Sequence, residues 1–66
     1  MNRTELKAEI ARKEISKTRL AEALGLSLTS FSLKLKGDRE FKESEIQKLI
    51  SVLELTAADV NRIFLN

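Results

Sequence analysis

Between Ser27 and Arg39 the chain reads SLTSFSLKLKGDR, and hydroxyls at Ser27, Thr29, Ser30 and Ser32 are interleaved with cations at Lys34, Lys36 and Arg39. Such side chains donate hydrogen bonds to anionic oxygens. Lys17 adds a cation at the start of a predicted helix, where the positive end of the helix dipole favours an anion nearby. It reads either as an anion contact or as a solvated surface lysine.

Catalytic chemistry has little to work with. There is no histidine and no cysteine, which removes the common general bases, the thiol nucleophile and ordinary zinc ligation. The serines and lysines are accounted for by helix caps and surface. Glu40, Glu43 and Glu45 fall around a helix start, where acids are favoured for dipole reasons. No catalytic residue, metal site or cofactor is expected, and the chain is read as a non-enzyme. The absence of a glycine-rich loop after a strand argues against nucleotide binding. The three phenylalanines stand at core positions, which argues against base stacking on single strands.

Sixty-six residues fit one domain, 1–66, whose core is expected to supply only about 3 to 5 kcal/mol of net stability. No proline, two glycines and a supply of Leu, Ile, Ala, Lys and Glu favour an all-α fold. The formal net charge is only +2, but it is unevenly placed: residues 1–42 carry ten Lys or Arg against six acids, residues 43–66 two against four. The front half is the better anion binder. No apolar run approaches the roughly 18 residues of a membrane span, and the N-terminus lacks the apolar centre of a signal peptide. With no cysteine to oxidise, the expected setting is a reducing cytoplasm, with no membrane partner.

Five helices must position these groups. Leu6, Ile10 and Ala11 recur at helical spacing, placing helix 1 near residues 3–13 with Asn2 or Thr4 as cap. Ile15 ties the following connection to the core. Ser16 caps helix 2, KTRLAEAL, with Leu20, Ala21 and Leu24 on one stripe and Gly25 at its end. Ser27 caps helix 3, LTSFSLKLK, which Gly37 stops. Phe41 anchors the chain before helix 4, near residues 43–53, whose buried face holds Ile46, Leu49, Ile50 and Leu53. Thr56 and Asp59 form a capping box for helix 5, residues 57–64, with Val60, Ile63 and Phe64 facing inward.

The link between helices 2 and 3 is so short that they must cross at a large angle, which needs a small residue on helix 2 where helix 3 approaches. Ala21 and Phe31 fit these roles, with Leu20 behind them, Gly25 freeing the turn and Leu26 plugging the corner. Through SKTRLAEALGLSLTSFSLKLKG and the following REF-x-x-SEI, the chain resembles the Cro and phage-repressor (XRE-like) helix-turn-helix proteins. Ser16 and Lys17 match the family's Thr-Gln opening, Leu20-Ala21 its Leu-Ala pair, Leu24-Gly25-Leu26-Ser27 its turn, Phe31-Ser32 its Ile-Ser and Gly37 its terminal glycine. The tail SEIQKLISVLELTAADVNRIF is similar to the last two helices of small repressors, so the likeness spans nearly the whole chain.

The resemblance implies a five-helix phage-repressor-like DNA-binding domain that inserts helix 3 into the major groove of an operator. It assigns base contacts to Leu28, Thr29, Ser32 and Leu33, and backbone contacts to Lys17, Ser27 and Ser30. A helical wheel drawn with Phe31 and Leu35 inward places Thr29 and Leu33 outward, flanked by Ser32 and Lys36, with Ser30 and Lys34 bordering the core. Lys36, Arg39 and Lys42 follow closely enough to reach DNA phosphates, with Arg3 and Lys7 more distant. For Arg39, an ion pair with Asp38 or Glu40 is the equal alternative.

Two departures stand out. Relatives often carry Gln, Arg or Asn where this chain has Leu28 and Leu33, so here the expected base contacts are thymine methyl groups, with DNA shape supplying further specificity. Some relatives hold a charged pair where this chain has Ile10 and Leu35, and an apolar contact replaces it. The implied function is a Cro-like phage or prophage repressor in the bacterial cytoplasm, associated with the nucleoid. It would bind a palindromic double-stranded DNA operator as a homodimer, weak or formed on DNA, with Ile63, Phe64 and Leu65 as candidate dimer contacts. Leu65 reads equally as a frayed end. The rival reading is a protein-interaction module, antirepressor or antitoxin-like, on the same scaffold.

Overall fold

The computed structural model describes residues 1–65, so Asn66, the last position of the predicted domain, lies outside the described residues. Five α-helices follow one another: α1 (Arg3–Lys13), α2 (Lys17–Leu24), α3 (Leu28–Lys36), α4 (Glu43–Val52) and α5 (Ala57–Phe64). The described residues contain no strand. The protein is all-α, as composition predicts.

Helix starts are set by side chains that satisfy first-turn amides, which have no intrahelical acceptor. Asn2, Ser16, Ser27 and Thr56 accept from the N–H groups of Glu5, Arg19, Ser30 and Asp59, each at 3.1 Å. Of the two caps expected for α1, Asn2 is the one used. Thr56 and Asp59 close a reciprocal box, since the Asp59 carboxylate accepts from the Thr56 N–H at 3.0 Å. Lys42 has no acceptor to offer α4, and there the Glu45 carboxylate reaches back to the Lys42 N–H at 2.8 Å.

Helix ends show a second pattern. Glu14, Gly25, Gly37 and Glu54 all adopt left-handed backbone, with φ of 57°, 73°, 103° and 51°. The two glycines end α2 and α3, and the two glutamates end α1 and follow α4. Left-handed backbone favours glycine, so both glutamates carry strain there.

Packing is organised around α2 and α3. α2 lies against α3 and α4, and α1 lies against α5 and α3. Leu6 and Ile10 of α1, Leu20, Ala21 and Leu24 of α2, Phe31 and Leu35 of α3, Leu49 of α4 and Ile63 of α5 enter one buried cluster with Phe41 and with Leu53, which follows α4. The rings of Phe31 and Phe41 meet edge to face with centroids 6.1 Å apart, a favoured aromatic geometry. This is the anchoring role expected of Phe41.

Two expectations need correction. Ala11 is exposed rather than part of the core. Ile63 is fully buried, because it packs in the central cluster and its carbonyl accepts from the Asn2 N–H at 2.6 Å. It cannot serve as a dimer contact in this fold. Phe64 is half-buried against the same core, leaving Leu65, 74% exposed, as the one candidate of the three that projects into solvent.

Glu9, a charged residue of α1, is buried. Its carboxylate accepts from Arg12 and, at 3.2 Å, from Arg62. Arg62 also donates to Glu5 and, at 2.8 Å, to Asp59. One guanidinium therefore ties α5 to α1, using the five-donor fork that suits arginine to such networks. Bonds to Asp59, Glu9 and Glu5 outweigh the cost of burial and push the arginine pKa up.

Candidate functional site

The α2–α3 junction consists of Gly25, Leu26 and Ser27. Gly25 donates its N–H to the Glu22 carbonyl at 3.1 Å, and Leu26 donates to the Ala21 carbonyl at 2.9 Å. These bonds close α2 in the manner of a Schellman motif. A Cβ at Gly25 would meet no atom within 4 Å, so its φ of 73° requires glycine and space does not. Leu26 packs half-buried against the core. Ala21 and Phe31 are both buried where α2 and α3 meet, and the small side chain of Ala21 allows the approach.

From this base, α3 presents its N-terminal end outward. Leu28 is 47% exposed, and Ser27, Thr29, Lys36, Arg39 and Lys17 are exposed as well. Ser30, Ser32 and Leu33 are half-buried. Leu33, outward on the wheel, is thus partly covered, while Phe31 and Leu35 on the inward side are buried. The chain turns back after Gly37, and the amides of Gly37, Asp38 and Arg39 donate to the Leu33 carbonyl at 3.2, 3.0 and 3.4 Å.

Beneath α3 lies an ion pair that the spacing of apolar residues does not reveal. The Lys34 ammonium donates to both carboxylate oxygens of Glu45, at 2.7 and 2.9 Å, and both residues are buried. Burial pushes the Glu45 carboxyl up, but the Lys34 bond, the Lys42 amide and the two ammonium charges outweigh it and hold its pKa below the ordinary value. The signals that could have found this pair are the place of Lys34 at the core edge of its wheel and the acid three residues after the Lys42 cap. On the α1 side, Arg3 Nε donates to the Lys34 carbonyl at 3.2 Å, and a Cβ on Gly37 would stand 3.3 Å from that same nitrogen.

The exposed cations are differently employed. Lys36 pairs with Asp38 at 3.5 Å, with both side chains largely in solvent. Such a pair is weak and readily exchanged. Arg39 has no ion-pair partner among the described residues, so the alternative of a pair with Asp38 or Glu40 does not form. Lys17 likewise has none among them. Together with Ser27 and the N-terminal end of α3, these side chains offer donors to an external acceptor. The described residues hold no cluster of three or more carboxylates able to ligate a metal ion, and no helix among them is long and apolar enough to cross a membrane.

Neither the curated proteins nor the solved structures contain a match to this chain. The sequence does match, over residues 2–66, the family described as "Protein of unknown function (DUF739)", and the chain belongs to that family.

Proposed function

We propose that this chain is a sequence-specific double-stranded DNA-binding transcriptional regulator, a repressor of the phage-repressor or Cro-like kind, in which α2 and α3 form the helix-turn-helix. The observation that carries the reading is the three-residue junction at Gly25, which holds α3 on the core through Phe31 and Leu35 while Leu28 and Thr29 remain outward. A helix so mounted enters the major groove with its N-terminal residues deepest. Leu28, Thr29, Ser32 and Leu33 face base edges in this reading. Lys17, Ser27, Ser30, Lys36 and Arg39 contact phosphates.

One helix spans too few base pairs for strong discrimination, so the operator is palindromic and is occupied by two copies that pair weakly or on DNA. Leu65 and the exposed edge of Phe64 supply the apolar contact. The regulator works in the bacterial cytoplasm, at the nucleoid, and blocks polymerase by occupancy.

Selection of bound duplexes from a random pool, followed by affinity measurement against salt, tests the proposal. An enriched two-fold motif and an affinity that falls steeply with salt are expected, because bound cations release counterions from DNA. No enriched motif and no salt-dependent duplex binding would sink it. The exposure of Leu28 favours one second reading, a protein-interaction module that grips a partner through the α3 face. That contact would be nearly insensitive to salt.

A further inference from the structure

A shallow cleft of about 230 Å³ opens where α1, α2 and α3 meet, floored by Ile10, Ala11 and Leu35 and bordered by Lys7 and Lys17. Ile10 and Leu35 are nearly fully buried, so the floor is apolar and contributes no hydrogen-bonding side chain. Lys7 and Lys17 are exposed, and neither has an ion-pair partner among the described residues. Lysine stems lie along apolar surface while the ammonium stays in water. The result is an apolar seat bordered by two cations from two different helices.

We infer that this cleft seats the sugar-phosphate backbone of DNA, with a deoxyribose against Ile10, Ala11 and Leu35 and its neighbouring phosphates held by Lys7 and Lys17. The inference rests on the DNA-binding reading and adds to it a second backbone clamp that includes a residue of α1. A backbone sugar is an apolar edge between two anions, the inverse of an apolar floor between two cations. A free small anion would find no buried donor here. A partner helix would need roughly 800 Å² of its own surface buried for a stable contact, which five lining residues do not supply.

The experiment measures binding of a mixed-sequence duplex to the full chain as salt rises, for the parent, Lys7→Gln and Lys48→Gln, with helix content checked by circular dichroism. Lys48 lies exposed on α4, away from the cleft, and serves as the control. Loss of one phosphate contact reduces the slope of log affinity against log salt by about 0.9, and that reduction is expected for Lys7→Gln alone. Ala11→Glu, which puts a carboxylate on the floor at an exposed position, is expected to weaken duplex binding more than Lys7→Gln does. A parent with a steep slope that Lys7→Gln leaves unchanged overturns the clamp but leaves the DNA reading standing. A parent with no salt-dependent duplex binding overturns both. Binding of poly-glutamate that depends on Lys7, with no such dependence for the duplex, assigns the cleft to an acidic protein and also overturns the clamp.

Discussion

The Lys34 ammonium sits 2.7 and 2.9 Å from the two carboxylate oxygens of Glu45, across the interface between α3 and α4. The same carboxylate accepts from the backbone N–H of Lys42, the N-cap of α4. One glutamate thus caps its own helix and neutralises the only buried cation among the described residues. Removing one member of such a pair leaves the other charged and desolvated, whereas replacing both with apolar groups can be close to neutral.

Lys34→Met is therefore expected to destabilise the protein by about 3 kcal/mol. The double change Lys34→Met with Glu45→Gln is expected to cost clearly less than the sum of the two single changes, since the glutamine amide oxygen keeps an acceptor for the Lys42 N–H. Urea unfolding of the four proteins forms the cycle, and strict additivity would count against a coupled pair.

Stability should also fall in acid, in a window set by two carboxyls. Asp59 is held at about 2, below its ordinary 3.8, by the Thr56 backbone amide first and then by Arg62 and the Thr56 hydroxyl. Glu45 is also held below its ordinary 4.5. A depressed folded value means that the stabilisation is complete above the ordinary value and is lost as pH falls through the folded one. The melting temperature should be level above about pH 5 and decline from there towards pH 2. Asp59→Asn should start lower at neutral pH and decline less steeply, and parallel profiles for the two proteins would remove Asp59 from the account.

Backbone strain offers a gain. Glu14 and Glu54 occupy left-handed backbone with φ of 57° and 51°. Glu54→Gly and Glu14→Gly are each expected to raise unfolding free energy by about 0.5 to 1 kcal/mol. Gly25→Ala should lower it by about 1 kcal/mol through conformation alone. Gly37→Ala should cost more, because its Cβ would also press on Arg3. Denaturant midpoints decide the signs.

Leu28 separates stability from recognition. It is 47% exposed, so Leu28→Ala should change unfolding free energy by no more than about 0.5 kcal/mol. If it meets a thymine methyl group, the parent should prefer a selected duplex over its uracil-substituted form, and the variant should lose that preference. A preference retained by Leu28→Ala would falsify the methyl contact at this position.

Helix number, the start of every helix and the two glycine stops are legible from the sequence, because capping and helical periodicity are local. Ser16, Ser27 and Thr56 announce caps within three residues of the amides they satisfy, and Leu20, Ala21 and Leu24 fall on one helical stripe that is buried. The outward start of α3 at Ser27, Leu28 and Thr29 is legible for the same reason. What the tertiary structure alone decides is where charges go once helices pack. Glu9 is buried because Arg62 arrives from 53 residues away, and Lys34 is buried because Glu45 lies across a helix interface. Ile63 is withdrawn from the surface into the central cluster. The pairing of Lys7 with Lys17 over an apolar floor likewise exists only in three dimensions. Local propensity acts over one or two turns, whereas the burial of a charge depends on which distant partner the packing brings within hydrogen-bond reach.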